Sequence, residues 1–489
     1  MTNAFSNIVE QARLTSQALY EYGQYLFEPT VRLGVTGLSR AGKTVFITAL
    51  VHGLLRGGRF PVFEALSGGR IARARLSPQP DDTVPRFAYE AHLESLIKDR
   101  QWPESTKAIS ELRLVIEYQS RSGSMRELTL DIVDYPGEWL LDLPLLGMSY
   151  EDWSAETIRL SQQPDRAKLA EAWHRDLASL DPAAPESEPA AQKAAQIFTG
   201  YLRACRDERF ALSLLPPGRF LMPGELADSP ALTFAPLDRL EGEAARGSQQ
   251  AMMRRRYESY KDLVVRPFYR DHIARLDRQI VLVDVLTALN AGPAAVRDLE
   301  RAMTAILDSF NVGRNSILSA LFAPRINRIL FAATKADLLH HTSHDRLERI
   351  LDRLVKGAAE RAEQTGAHID AVALASVRAT REANVGGAHG LLSAIVGVPQ
   401  LGEHVGDRVF DGTSEIVIYP GDLPDDPETI FAAGERGFRG LNAGPSDEAD
   451  YRFLRFRPPL LEYTDAGVPA LPHIRLDRTL EFLFGDRLR

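Results

Sequence analysis

One cysteine in 489 residues, Cys205, excludes an intramolecular disulfide and leaves no Cys-x-x-Cys pair for zinc, iron–sulfur or dithiol chemistry. No stretch reaches the roughly 18 apolar residues of a membrane-spanning helix. The first thirty residues lack the basic start, unbroken apolar run and small-residue cleavage site of a secretory leader. A reducing, cytoplasmic setting with no transmembrane segment is the expectation. Acidic side chains outnumber basic ones, 66 to 58, for a formal net charge of −8, which argues against a general grip on nucleic-acid phosphates. Lysine is scarce, at 8 of those 58 basic residues, so a lysine inside a motif carries weight. Two of the eight, Lys43 and Lys335, sit in one. Internal repeats and low-complexity tracts are also absent.

What is present is ordinary globular material, 44% apolar and 25% charged, long enough for about three domains or one large domain with insertions. Ile8, Ala12, Leu19, Tyr22 and Leu26 recur at helical spacing and predict an amphipathic helix ending before Pro29. A β run over 31–35, a glycine-rich turn and the apolar TVFITALVHGLL read as strand, loop, helix. Residues 60–103 read as an irregular excursion with one short helix. Two strands, 111–118 and 127–134, form a hairpin, and 150–275 is mainly helical. Strand and helix then alternate again: a strand over 278–286, a helix after Pro293, a strand in INRILFAATKADLL, a helix over 343–364 and a strand over 369–377. That order predicts a mostly parallel sheet with helices on both faces. Beyond 397 come short β runs at EIVIYP and YRFLRFRP and a last helix with Asp477 as its N-cap.

The sharpest motif is Gly37-Leu38-Ser39-Arg40-Ala41-Gly42-Lys43-Thr44, which fits G-x-x-x-x-G-K-[ST] between strand and helix. Polyphosphate oxygens need several converging backbone N–H groups; glycines allow that turn, and the helix N-terminus adds positive partial charge. Lys43 would bridge β and γ phosphates and the Thr44 hydroxyl would ligate Mg²⁺. The competing G-x-S-x-A nucleophile elbow lacks its last glycine.

Thr334-Lys335-Ala336-Asp337 closes an apolar strand as T-K-x-D. The aspartate can accept from guanine N1–H and the N2 amino group together, donors adenine lacks in that arrangement, while the lysine stem packs on the purine plane. The alternative is a polar strand exit. Asp134-Tyr135-Pro136-Gly137 has the D-x-x-G form, placing Asp134 toward Mg²⁺ through water and the Gly137 N–H toward the γ-phosphate. Ala375-Ser376-Val377 would meet the guanine with backbone N–H groups at Ser376 and Val377. Thr106 is the preferred switch threonine for Mg²⁺, with Ser105 and Thr83 as competitors.

In order and wording, GLSRAGKT, IVDYPGEWLLDLP, GRFLMPG, RLDRQIVLVDVL, LFAATKAD, LASVRAT and PHIRLDRTLEFLFGDRLR resemble the YcjX family of bacterial P-loop GTPases. The resemblance runs nearly end to end. It implies an α/β, Ras-like P-loop NTPase core with a large helical insertion and a C-terminal α+β segment. It also implies a link to envelope stress and a membrane-protein partner of the YcjF family, which would place the chain at the inner membrane's periphery. The expected division is an N-terminal helix (1–28), a first core part (29–149), a helical insertion (150–276), a second core part (277–398) and a C-terminal segment packing on the core (399–489).

The chemistry to expect is in-line attack of water on GTP with Mg²⁺, giving GDP and phosphate, with Lys43, Gly137 and loop amides stabilising the spread charge. Glu138 stands where a Ras-like enzyme carries a water-orienting glutamine, and Arg40 is a candidate internal arginine finger. The alternative is a nucleotide-stabilised scaffold with little turnover that holds a partner through the insertion. A small-molecule kinase would need an acceptor site, and none is recognisable. His340, His341 and His344 lack carboxylate or cysteine partners in sequence and read as a solvated helix start. Arg254-Arg255-Arg256 reads as a solvated basic face, or else a site for an anionic lipid or acidic partner. Gly386-Gly387 and GERGFRG read as loop glycines.

Overall fold

The computed structural model describes residues 29–489 except 39, 105–107, 228, 241, 243, 311–325, 364–365, 388–389, 406, 433–450, 464–466 and 468. The N-terminal helix over 1–28, Ser39, Ser105, Thr106 and the GERGFRG glycines lie outside the described residues.

A seven-stranded sheet runs in the order β2-β3-β4-β1-β5-β6-β7. Its strands are β1 (Thr30–Gly37), β2 (Ile71–Ser77), β3 (Ser110–Gln119), β4 (Met125–Asp134), β5 (Arg278–Val283), β6 (Arg328–Ala333) and β7 (His368–Ala373). β4, β1, β5, β6 and β7 pair in parallel, while β2 and β3 form an antiparallel edge. The parallel strands are apolar on both sides because both faces are covered. Ile280, Leu282, Leu330 and Ala332 enter one core with helix α1 (Lys43–Arg56); Val281, Val283, Ile329 and Phe331 enter the other. The chain leaves β1 toward β4 on one side and later returns to β5 on the other, so a crevice opens at the carboxyl ends of the strands beside β1.

Four long helices follow β4: α2 (Tyr150–Ser161), α3 (Pro164–Ser179), α4 (Glu188–Arg206) and α5 (Gln249–Tyr260). In α4, Ser187 accepts from the Ala190 N–H as N-cap, and Ala191, Ala194, Ala195, Phe198, Tyr201, Leu202 and Cys205 make the buried stripe. These helices share one apolar cluster with α6 (Pro293–Phe310), α7 (His344–Glu363) and the sheet. Burial pushes the Cys205 thiol up to about 11, so it packs as an inert apolar group. After β7 come β8 (Arg381–Gly387), β9 (Gly390–Gly397), β10 (His404–Val405), β11 (Arg408–Val409) and β12 (Ile416–Ile418); β8, β9 and β12 form a separate antiparallel sheet. The last helix, α8 (Leu476–Phe484), buries Leu476, Leu480, Leu483 and Phe484 in the core that holds β1 and α1.

Several sequence expectations need correction. β2 lies inside the supposed irregular excursion; its arginines at 73 and 75 hid the β pattern, and it exists because it pairs along β3. Gly386 and Gly387 belong to strand β8. The strand predicted over 278–286 stops at Val283, where Asp284 turns to cap the next helix by accepting from the Thr287 N–H at 3.1 Å. Of YRFLRFRP, Phe456 makes a single bridge to Pro399. Arg475, at φ 56°, is the N-cap of α8; Asp477 lies in its first turn and accepts from the Val62 N–H at 3.1 Å.

Candidate functional site

β1 hands its chain into the phosphate loop at Gly37, and α1 starts where Gly42 sits at φ 83° in the left-handed region that favours glycine. Lys43 is buried, and its Nζ donates to the Gly37 carbonyl at 3.2 Å. The Thr44 Oγ1 donates to the Glu104 carbonyl at 3.2 Å, which lays the loop preceding 105–107 against the phosphate loop. Trp102 ties that same loop to the C-terminal segment through Nε1–H to the Phe456 carbonyl, 2.7 Å.

The D-x-x-G turn is pressed onto the phosphate loop. A Cβ on Gly137 would fall 2.5 Å from the Gly37 carbonyl oxygen, so only glycine allows this approach. Tyr135 is fully buried and its hydroxyl donates to Gln279 Oε1 at 2.7 Å, fixing the turn to β5. Asp134, also buried, ends β4.

The T-K-x-D residues follow β6. Thr334 N–H donates to the Val283 carbonyl. Lys335 adopts φ 62° and pairs with Asp284 Oδ2 at 2.5 Å, which holds its stem in place. Asp337 is buried; its Oδ2 accepts from the Ala379 N–H at 2.8 Å. Burial pushes the Asp337 carboxyl up to about 6, against the opposing pull of the Ala379 N–H, Arg378 and Lys335. Leu374 accepts from the Ala336 N–H at 3.1 Å, so the Ala375-Ser376-Val377 loop lies alongside.

Arg40, Ala41, Gly42, Lys43, Thr44, Glu138, Thr334, Lys335, Asp337, Ser376 and Val377 line one cavity of about 1230 Å³. Gly37, Asp134 and Gly137 are buried and are not among its lining residues. The cavity also takes Arg203, Arg206, Asp207, Glu208 and Arg209 from the end of α4 and just beyond, together with Asp284 and Arg455. None of these is marked by a motif; the only hint was the dense charge of RACRDER ending a helix.

Two candidate side chains are already engaged. Arg40, at φ 63° and half exposed, pairs with Glu208, and burial together with the Arg455 and Arg206 guanidinium groups pushes it below its ordinary value. Glu138 is buried and pairs with Arg206 at 3.0 Å. We therefore expect Glu138→Gln to change single-turnover GTP hydrolysis by less than about tenfold; a loss of about a thousandfold would make it the group that orients the water.

The segment after Glu138 is clamped by the insertion. Asp142 accepts from the Gly218 N–H at 2.6 Å and from the Tyr260 hydroxyl at 2.5 Å, and Trp139 Nε1–H donates to the Met222 carbonyl. Arg219 stacks over the Trp139 ring. A Cβ on Gly218 would lie 2.0 Å from the Glu138 carbonyl oxygen, so GRFLMPG is the phrase that docks onto DYPGEW.

Other residues depart from the sequence reading. Thr83 is exposed and bonds to Asp81 at 2.6 Å, and it does not line the cavity. Arg254, Arg255 and Arg256 pair with Glu151, Glu186 and Glu188, so the basic triplet is neutralised within the protein. His340 and His344 are buried and only His341 is exposed; Glu382, from β8, supplies the carboxylate that was missing in sequence. No helix among the described residues is long and apolar enough to cross a membrane.

A family model described as YcjX-like family, DUF463, matches residues 31–488. The chain is 38% identical over 480 residues to the Ras-like GTPase YcjX of Escherichia coli K12, covering 94% of this chain and 96% of that one. It is 34% identical over 484 residues to the Ras-like GTPase YcjX of Shewanella oneidensis, covering 94% of each.

Proposed function

The chain belongs to the YcjX-like family, and from that premise we propose that it binds guanine nucleotide and hydrolyses GTP to GDP and phosphate, working as a switch. The observation that carries this reading is the convergence of the phosphate loop, the T-K-x-D loop and the 375–377 loop on one cavity. The D-x-x-G turn is packed against the loop's first glycine.

In this reading Lys43 Nζ exchanges the Gly37 carbonyl for β- and γ-phosphate oxygens, and the amides of residues 39–44 surround the same charge. The donor set fits Mg²⁺: Thr44 brings a hydroxyl and Asp134 a carboxylate, hard oxygens of the kind that ion prefers, and these two, with Thr106, would hold it. When bound, the ion neutralises charge on the phosphates. The Gly137 N–H turns toward the γ-phosphate, so its presence or loss is felt in the segment that Gly218 and Tyr260 hold. Arg40 reaches the β–γ bridge only by leaving Glu208. With Glu138 held by Arg206 and Arg40 by Glu208, neither of these two candidates is free to act on the attacking water, which supports slow turnover. The same pairing favours the second reading, a nucleotide-stabilised scaffold. Envelope stress, a YcjF-family partner and a cytoplasmic location peripheral to the inner membrane rest on the family resemblance alone.

Calorimetric titration with GDP, a GTP analogue and an ATP analogue in the presence of Mg²⁺ tests the reading. Guanine binding at least about hundredfold tighter than adenine binding is expected; equal binding would sink it. Affinity should also follow Asp337. Its carboxyl sits at about 6 in the fold, so the ionised acceptor is fully present at about pH 8 and is lost as pH falls through that value. The Lys335 and Arg378 cations face it, and His344 bonds to the Ala336 carbonyl beside it. GDP affinity should therefore fall severalfold by about pH 5, and a flat profile would detach the base from Asp337.

A further inference from the structure

The loop that follows Asp337 carries two imidazoles that the nucleotide reading does not use. One ring nitrogen each of His340 and His341 and one carboxylate oxygen of Glu382 all lie within 4.8 Å of one another. The two rings lie 4.3 Å apart, centroid to centroid, tilted by 38°. His341 Nδ1 is 2.7 Å from Glu382 Oε2, and His340 Nε2 is 3.8 Å from the same oxygen.

We infer that His340, His341 and Glu382 form a binding site for a divalent transition-metal ion of the zinc, cobalt or nickel type, closing the base-reading loop onto strand β8. The donor chemistry selects the class. Two imidazole nitrogens and one carboxylate oxygen suit borderline ions and offer little to Mg²⁺, which prefers oxygen ligands and octahedral geometry. Three protein ligands leave a fourth position for water, and the exposed His341 leaves that side open to solvent.

Two of the three ligands, His340 and Glu382, are held from behind. His340 is buried, and its Nδ1 lies 3.1 Å from Thr342 Oγ1 and accepts from the Thr342 N–H at 3.5 Å, which fixes the ring with Nε2 facing Glu382, where an ion would take the place of the Nε2 proton. Glu382 Oε1 accepts from Arg378 Nη2 at 3.1 Å, which leaves Oε2 turned toward the two rings; Arg378 is itself anchored by donating to the Thr380 carbonyl. Donor atoms at ordinary ligand distances of about 2.0–2.2 Å in a tetrahedral site sit about 3.3–3.6 Å apart, so the His341–Glu382 pair, at 2.7 Å, has to open and the His340–Glu382 pair, at 3.8 Å, to close slightly. His341, the most exposed of the three, can make that adjustment by side-chain rotation.

The site lies next to the base reader. Ala379 and Thr380, which bond to the Asp337 carboxylate and carbonyl, lie in the chain between Arg378 and Glu382, while His340 and His341 follow Asp337 on the other side. An ion joining these two stretches would brace the turn that presents Asp337. This consequence rests on the proposed base-reading role, whereas metal binding itself does not.

The test uses the full chain, stripped of metal by a chelator and without nucleotide. Isothermal titration with Zn²⁺ should give one ion per chain, and Co²⁺ should give the intense visible bands of a four-coordinate nitrogen and oxygen site. His341→Ala and Glu382→Gln should each weaken the Zn²⁺ affinity by about hundredfold and abolish the Co²⁺ bands, with the metal-free variants melting within a few degrees of the parent. His368→Ala, at another exposed histidine, should leave both unchanged. Absence of the one-ion isotherm, or retention of affinity and bands in both ligand variants, overturns the site. Because no nucleotide is present, that result leaves the guanine reading untouched. Metal binding with no effect on GDP affinity removes only the bracing.

Discussion

Asp337→Asn is expected to lower GDP affinity by at least about hundredfold and to improve binding of xanthosine diphosphate, since two charge-assisted hydrogen bonds from guanine are exchanged for an amide that presents a donor where guanine also presents one. Xanthine carries an oxygen in place of the 2-amino group and accepts that donor. The structure bears on how cleanly the substitution reads. The Asp337 side chain is buried and bonded to the Ala379 N–H, so the asparagine oxygen keeps that bond and the amide nitrogen is directed elsewhere. Calorimetry with both diphosphates checks the outcome, and unchanged preference would reduce T-K-x-D to a strand exit.

The second large effect is on stability. Arg166, in α3, pairs with Asp298, in α6, and both side chains are almost wholly buried, 2% and 1% exposed. Arg166 also donates to the Leu214 carbonyl, and Asp298 Oδ2 accepts from the Ser213 and Leu214 N–H groups, so the pair joins the helical insertion to a helix of the core. Arg166→Leu leaves a buried carboxylate without its counter-charge and should cost about 3–5 kcal/mol. A clear drop in the thermal or urea midpoint is expected, with nucleotide binding retained in whatever remains folded. Changing Asp298 to leucine as well should restore only part of the loss, because the two backbone N–H groups it serves would then lack an acceptor. A single variant as stable as the parent would show that the insertion is held by its apolar cluster alone.

The fold and most of the phosphate and base motifs were legible because their signals are local. A glycine-rich turn between an apolar strand and an apolar helix specifies a phosphate loop over contiguous residues, and the apolar runs of β1, β5, β6 and β7 announce strands covered on both faces. Strand β2 escaped because arginine interrupts its apolar residues and its stability comes from pairing with β3. The arginine triplet of α5 misled in the opposite sense, because its carboxylate partners lie 68 to 103 residues away.

The sequence by itself determined the class of the core, the order of its motifs and the family, since each is written in short stretches whose backbone geometry depends on their own residues. Tertiary structure decided what surrounds the motifs: Glu138 turned to Arg206, Arg40 to Glu208, the D-x-x-G segment locked under Gly218 and Tyr260, and Glu382 brought to His340. Those pairings join residues 42 to 168 positions apart and are selected by packing and by the cost of burying an unpaired charge. No periodicity along the chain records them.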